Sequence, residues 1–192
     1  MKQIQGTSYN IGDDIVGRIT FGKKNLFGRS NDILVCKDSD KPALGYLATI
    51  TEKTTFSTKD KPYCIVNSVE SFNEGDVVVI NKKGEIIFVY EINSNHNALM
   101  ATERCNHRCI MCPQPPILQE KDKTPFNLQL ISLFDKHTQE IGITGGEPTL
   151  IGDNLFTLIN HIKKELPQTA ISILSNGCLL YTSPSPRDIS GS

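Results

Sequence analysis

The chain has 192 residues, enough for one ordinary domain or a small module followed by part of a larger one. Its formal net charge is −1 with the two signs interspersed, which argues against an electrostatic footprint for nucleic acid or an anionic membrane. No apolar run approaches the ~20 residues that span a bilayer and Met1 to Gly6 lacks the apolar segment of a signal peptide, so a cytoplasmic location is expected, where clustered cysteines indicate metal rather than disulfides.

Residues 1–95 read as a β-rich module. Short apolar runs at Ile33 to Val35, Tyr46 to Ile50, Cys64 to Val66, Val77 to Ile80 and Ile86 to Ile92 are separated by Gly, Asp, Asn, Ser and Lys. That spacing fits a small sandwich or barrel. Between Val77 to Ile80 and Glu85 to Ile92 lies Asn81-Lys82-Lys83-Gly84, which predicts a hairpin. Cys36 and Cys64 have no Cys or His at ligand spacing and read as small buried hydrophobes.

The polar run Asn93 to Asn97 marks a boundary, after which strands and helices alternate over residues 96–177. Ala98 to Thr102 reads as a strand, Phe126 to Phe134 as a short helix and Ile141 to Thr144 as a second strand. A longer helix begins near Asp153 or Asn154, either of which can cap it. Leu155, Leu158, Ile159, Ile162 and Leu166 form its apolar stripe and Pro167 ends it. Ala170 to Leu174 is a third strand. The alternation implies an α/β fold with parallel pairing and function at the C-terminal strand ends.

Two motifs fall at such ends. Cys105-Asn-His-Arg-Cys109-Ile-Met-Cys112 places three thiolates on one loop after the first strand. Three cysteines on a 4Fe–4S cluster leave one iron without a protein ligand, an open site of the kind that catalysis at a metal requires. Zinc on the same cysteines, with His107 or a distant fourth ligand, is the alternative. Gly142-Ile-Thr-Gly-Gly-Glu-Pro148 ends the second strand. Its glycines would let a ligand approach the backbone, the Thr144 carbonyl could bond it, and Glu147 adds a negative charge. His137 and His161 read as solvated surface, and no nucleophile or acid–base pair is evident.

Together the motifs resemble the signature of the radical S-adenosylmethionine (SAM) superfamily. The resemblance implies the first half of a partial (β/α)6 barrel, with a 4Fe–4S cluster on Cys105, Cys109 and Cys112. It implies SAM contacts from Met111, Gly145, Gly146, Glu147, Pro148, Ser175 and Asn176. The implied chemistry is reductive cleavage of SAM to a 5′-deoxyadenosyl radical, with no catalytic residue beyond the cluster ligands. More narrowly, Cys109 to Pro116, Ile143 to Asp153 and Leu166 to Gly177 resemble the C-type radical SAM maturase of the His-Xaa-Ser peptide system. That likeness implies a ribosomally made His-Xaa-Ser repeat peptide as substrate, a flavodoxin- or ferredoxin-type electron donor and a second maturase as partner. A radical SAM enzyme acting on a small molecule remains the other reading, beside a non-catalytic zinc module.

The segment from Cys178 to Asp188 resembles the translation of a transposase adapter used in sequencing libraries, read through in frame. Residues 178–192 are therefore expected to be foreign and disordered, since Ser, Pro and Gly bury too little apolar surface to offset their ordering entropy. The natural frame is expected to continue past Gly177 with the later strands. Without those strands the half-barrel would expose a strand edge and an apolar face, and these 192 residues alone would be inactive.

Overall fold

The structure is a computed structural model that describes residues 2–22, 30–37, 45–112, 117 and 119–179. Residues 113–116 of the cysteine-loop motif and 180–192 of the suspected foreign tail lie outside the described residues. Among the described residues eleven strands form two sheets. The first contains β1 (Gln3–Gln5), β2 (Thr7–Tyr9), β3 (Ile15–Thr20), β4 (Asp32–Cys36), β5 (Ala48–Thr51), β6 (Tyr63–Ile65), β7 (Val77–Ile80) and β8 (Glu85–Tyr90), in the order β1-β8-β7-β3-β4-β5-β6-β2.

The two ends of that order are one piece of chain. β1 pairs with β8 and β2 with β6, both antiparallel, and only Gly6 separates them. The N-terminal strand therefore closes the sheet into a barrel, which removes its free edges. Closure demands close backbone approach. A Cβ on Gly84, which sits at φ +81°, would meet the Gly6 carbonyl oxygen at 2.3 Å, and the Gly6 N–H donates to the Gly84 carbonyl at 2.8 Å. Gly84 thus serves both the hairpin turn, which forms as expected between β7 and β8, and the seam of the barrel.

Strand β3 was not expected, because Gly17 and Arg18 interrupt its apolar pattern. Gly17 is required there: a Cβ would lie 2.8 Å from the Ile33 side chain on β4. The parallel pairing of β3 with β4, β4 with β5 and β5 with β6 also escapes a reading built on hairpin spacing.

Period-two alternation divides β7 between two cores. Val78 and Ile80 point into the barrel with Ile19, Ile33, Ile50, Cys64, Ile86 and Phe88. Burial among these side chains pushes the Cys64 thiol up to about 11, which suits a packing residue. Val77 and Val79 face outward and join a second core with Val16, Tyr90, Leu99, Leu130, Ile131, Ile141, Ile143, Leu158 and Ile162.

That second core belongs to the α/β half: β9 (Asn97–Thr102), α1 (Thr124–Leu133), β10 (Glu140–Gly145), a 3-10 turn at Pro148–Ile151, α2 (Asp153–Glu165) and β11 (Ala170–Ile173). Its three-stranded sheet has the order β11-β10-β9 and is parallel throughout, as the strand–helix alternation predicts. β11 is half-exposed, with Ile173 and Leu174 uncovered. Neither Asp153 nor Asn154 caps α2. The 3-10 turn runs straight into the helix and leaves Gly152, at φ +57°, in the cap position with Asp153 in the first turn.

Barrel and α/β layer share one interface rather than a linker. Tyr90 stacks on Phe134 at 4.5 Å and its hydroxyl hydrogen-bonds Thr138 Oγ1 at 2.9 Å, while Arg18 Nε donates to the Leu133 carbonyl at 2.9 Å. Tyr90→Phe keeps the stacked ring but removes the hydroxyl that bonds Thr138 Oγ1, which retains its own bond to the Asp135 carbonyl. It should lower the unfolding free energy by about 1 kcal/mol, read as a lower denaturation midpoint at an unchanged denaturant slope because both halves still unfold together.

Candidate metal and cofactor site

All three strands of the parallel sheet end on one rim, and the two motifs meet there. The shift in register after Thr144 sets Gly145 opposite Thr102, the last residue of β9. From that position the Gly146 N–H donates to the Thr102 carbonyl and the Glu147 N–H to the Arg104 carbonyl, each at 2.8 Å. The Gly-Gly-Glu-Pro segment is thereby tied to the residues that lead into Cys105.

This contact gives the glycines a structural role that was not expected. A Cβ on Gly145, at φ +141°, would stand 2.1 Å from the Thr102 oxygen, and one on Gly146 would stand 2.2 Å from the Arg104 oxygen. What approaches the glycine backbone is the root of the cysteine loop, not space kept open for a ligand.

Glu147 also departs from the expected picture. It is fully buried. Its Oε1 accepts from Thr149 N at 3.0 Å, Thr149 Oγ1 at 2.6 Å and Ser175 Oγ at 2.8 Å, and its Oε2 accepts from Asn176 N at 2.7 Å. Burial alone would raise its pKa, but these four bonds outweigh that and hold the carboxyl below its ordinary value. The carboxylate joins the end of β10 to the end of β11, so its charge is already matched by donors of the chain. Pro148 is buried beside it and opens the 3-10 turn.

From the end of β11, Asn176 reaches the cysteine loop. Its Nδ2 lies 2.8 Å from Asn106 Oδ1, 3.3 Å from His107 Nδ1 and 3.9 Å from Cys105 Sγ. The backbone N–H of His107 also donates to Cys105 Sγ, at 3.4 Å. Cys105 is half-buried, whereas Cys109 and Cys112 are exposed in a turn closed by the Cys112 N–H on the Cys109 carbonyl at 3.0 Å. Met111 stands 94% exposed next to them.

The donor set suits an iron–sulfur cluster. It consists of three thiols outside any disulfide, the first of which receives amide N–H groups. Among the described residues no three Cys, His, Asp or Glu side chains converge on a single ion. A cubane takes one thiolate per iron and needs its sulfurs set farther apart than an ion does. His107 turns its Nδ1 to Asn106 and Asn176, not to the thiols. His137 is exposed beside Asp135, and His161 meets Ser132 on α1, both at the surface as expected.

Glu120 was not anticipated. It lies in an irregular stretch with no periodicity, yet it accepts from Thr102 Oγ1 and from Glu103 N, the latter at 2.8 Å. Desolvation opposes its ionisation, but those bonds and the nearby Lys123 ammonium hold its pKa below the ordinary value. Lys123 in turn pairs with Glu103 at 3.2 Å. Glu120 is thus a second clamp on the root of the cysteine loop. As the first residue of the alternating run Glu120-Lys121-Asp122-Lys123, it carried no signal that could have singled it out.

Comparison with known proteins agrees with the geometry. Residues 96–184 match the family described as a 4Fe-4S single cluster domain. The chain is 32% identical over 101 residues to a GTP 3',8-cyclase of Campylobacter jejuni subsp. doylei, covering 50% of this chain and 31% of that protein. It is 37% identical over 89 residues to the molybdenum cofactor biosynthesis protein moc-5 of Caenorhabditis elegans, covering 41% and 14%. A GTP 3',8-cyclase of Desulforamulus reducens is 32% identical over 100 residues, covering 47% and 29%. The chain thus spans less than a third of the length of these relatives. No solved structure matches. Among the described residues no helix is long and apolar enough to cross a membrane. A cysteine loop, a Gly-Gly-Glu-Pro segment bonded to its root, and a 4Fe–4S family match over both support a likeness of this α/β half to the radical SAM superfamily.

Proposed function

We propose that Cys105, Cys109 and Cys112 hold a 4Fe–4S cluster for a SAM-cleaving enzyme that modifies a His-Xaa-Ser repeat peptide. The observation that carries the cluster and SAM part is the pair of backbone bonds from Gly146 and Glu147 to Thr102 and Arg104, which sets both motifs on one rim. When bound, cluster and SAM supply one-electron cleavage of a sulfonium and hydrogen-atom abstraction from the substrate. The chain's residues do the holding. The exposed Met111 and the rim from Gly145 to Pro148 are proposed to meet SAM through groups other than the Gly146 and Glu147 N–H groups, which are already bonded to the loop root, while the Ser175 hydroxyl and the Glu147 side chain act through the rim. A flavodoxin- or ferredoxin-type protein is the proposed electron donor, and a second maturase a proposed partner.

The peptide reading rests on the wording of Cys109 to Pro116, Ile143 to Asp153 and Leu166 to Gly177. A small-molecule substrate is the second reading, favoured by relatives named GTP 3',8-cyclase. Those relatives match over 31% or less of their length, and a cluster and SAM site is what enzymes of different substrates would share.

After anaerobic reconstitution, Cys105→Ala, Cys109→Ala and Cys112→Ala should each lose the cluster's iron, sulfide and visible absorbance, while Cys36→Ala and Cys64→Ala retain them. Equal loss in the last two would overturn the ligand set. In the protein extended by its later strands, with dithionite as reductant, a synthetic His-Xaa-Ser repeat peptide should stimulate formation of 5′-deoxyadenosine and GTP should not. The reverse would replace the peptide reading and leave the cluster assignment standing.

A further inference from the structure

The side-chain amide of Asn176 faces the cysteine loop. Its amide nitrogen faces Asn106, His107 and the sulfur of Cys105, while its Oδ1 accepts from Cys178 N at 2.9 Å. Its backbone is fixed independently, because Asn176 N donates to the buried carboxylate of Glu147 and Ser175 Oγ to the same group. A short side chain on a pinned backbone has few alternative positions. Resting on the cluster reading above, we infer that Asn176 is a positioning residue for the cluster, whose amide donates toward the Cys105 thiolate and makes the cluster easier to reduce.

The physical basis is the charge change on reduction. One electron added to an iron–sulfur cluster spreads negative charge onto its sulfurs, and a donor aimed at a ligand sulfur stabilises the reduced form more than the oxidised one. Hydrogen bonds to the sulfurs are among the determinants of cluster potential. The His107 N–H supplies one such bond from within the loop, and Asn176 supplies the one that comes from another strand. Electron uptake at the cysteine loop is thereby linked to the seating of β11 through Glu147.

Two substitutions separate this role from simple loop support. Asn176→Asp keeps an oxygen for the Cys178 N–H but removes the donor and puts a negative charge beside the sulfur. Asn176→Leu removes donor and acceptor without adding charge. The measurement is the midpoint potential of the reconstituted cluster without SAM, by dithionite titration with mediators and electron paramagnetic resonance, alongside iron and sulfide content. The expected order is Asn176→Asp below Asn176→Leu below wild type. Wild-type protein that assembles a cluster, with variants titrating at the wild-type potential at any iron content, would overturn the inference. Failure of the wild type itself to assemble a cluster would instead overturn the cluster reading. Should Asn176→Leu fail to fold, Asn176→Ala, which also removes the donor without adding charge, decides in its place.

Discussion

Gly146→Val is expected to unseat the cysteine loop, leaving the protein unable to retain cluster iron after reconstitution and less stable by about 3 kcal/mol or more. The new Cβ would lie 2.2 Å from the Arg104 oxygen, 2.7 Å from the Arg104 carbonyl carbon and 3.0 Å from the Glu103 oxygen. All three are backbone atoms, so no rotamer change relieves the overlap, and the β-branched side chain has little freedom of its own. The loop root must move, which breaks the bonds from Gly146 N to Thr102 and from Glu147 N to Arg104. Cys105 follows at the next position. Gly142→Ala is the control within the same strand, since its Cβ would meet nothing nearer than Ala98 Cβ at 3.5 Å, an ordinary contact. Denaturation midpoint and iron per chain are the measurements. A Gly146→Val protein with normal iron would mean the two segments are not in contact. Had the glycines served only to admit a ligand, the cluster would survive and SAM affinity alone would suffer.

How far the sequence reveals this molecule follows from the range of the interactions involved. The α/β half was legible because its strands and helices have strong local periodicity and because parallel order brings their C-terminal ends together. Thus Ala98 to Thr102, Ile141 to Thr144 and Ala170 to Leu174 correspond to β9, β10 and β11 within a residue or two. The barrel was legible as β-rich but not in its order. β3 carries Gly17 and Arg18 for reasons that lie on β4 and at Leu133, far away in sequence. Closure through Gly6 and Gly84 likewise depends on partners 78 residues apart. At the rim, residue types and spacing pointed to Cys105, Gly146 and Glu147, but not to what each touches. A buried carboxylate and an exposed one look the same in a sequence. Only the end of β11, folding back over residue 147, makes Glu147 a tie between strands.

Glu147→Gln is expected to cost about 3 kcal/mol at neutral pH, and to cost progressively less as the solution is acidified. Four donors converge on the carboxylate in a site with no exposure, and hydrogen bonds to a charged acceptor are worth about 1.5–3 kcal/mol each before the desolvation of the charge is set against them. The amide of Gln turns its two protons either toward Asn176 or toward Thr149 and Ser175, so one end of the site holds donor against donor. The sign of the pH effect follows from the direction of the shift. The folded pKa lies below the ordinary value of 4.5, so the native state binds this proton less readily than the unfolded chain does. The carboxylate's contribution is therefore complete above the unfolded value and is lost as pH falls through the folded one. Glu120 and Asp122 are shifted in the same direction and titrate in both proteins, so the difference between wild type and Glu147→Gln removes their share. That difference, taken from urea midpoints between about pH 7 and pH 3, should be constant down to the ordinary carboxylate range and then shrink. A gap that stays constant through the acid limb would mean that Glu147 carries no depressed pKa, and that the rim is held by its backbone bonds alone.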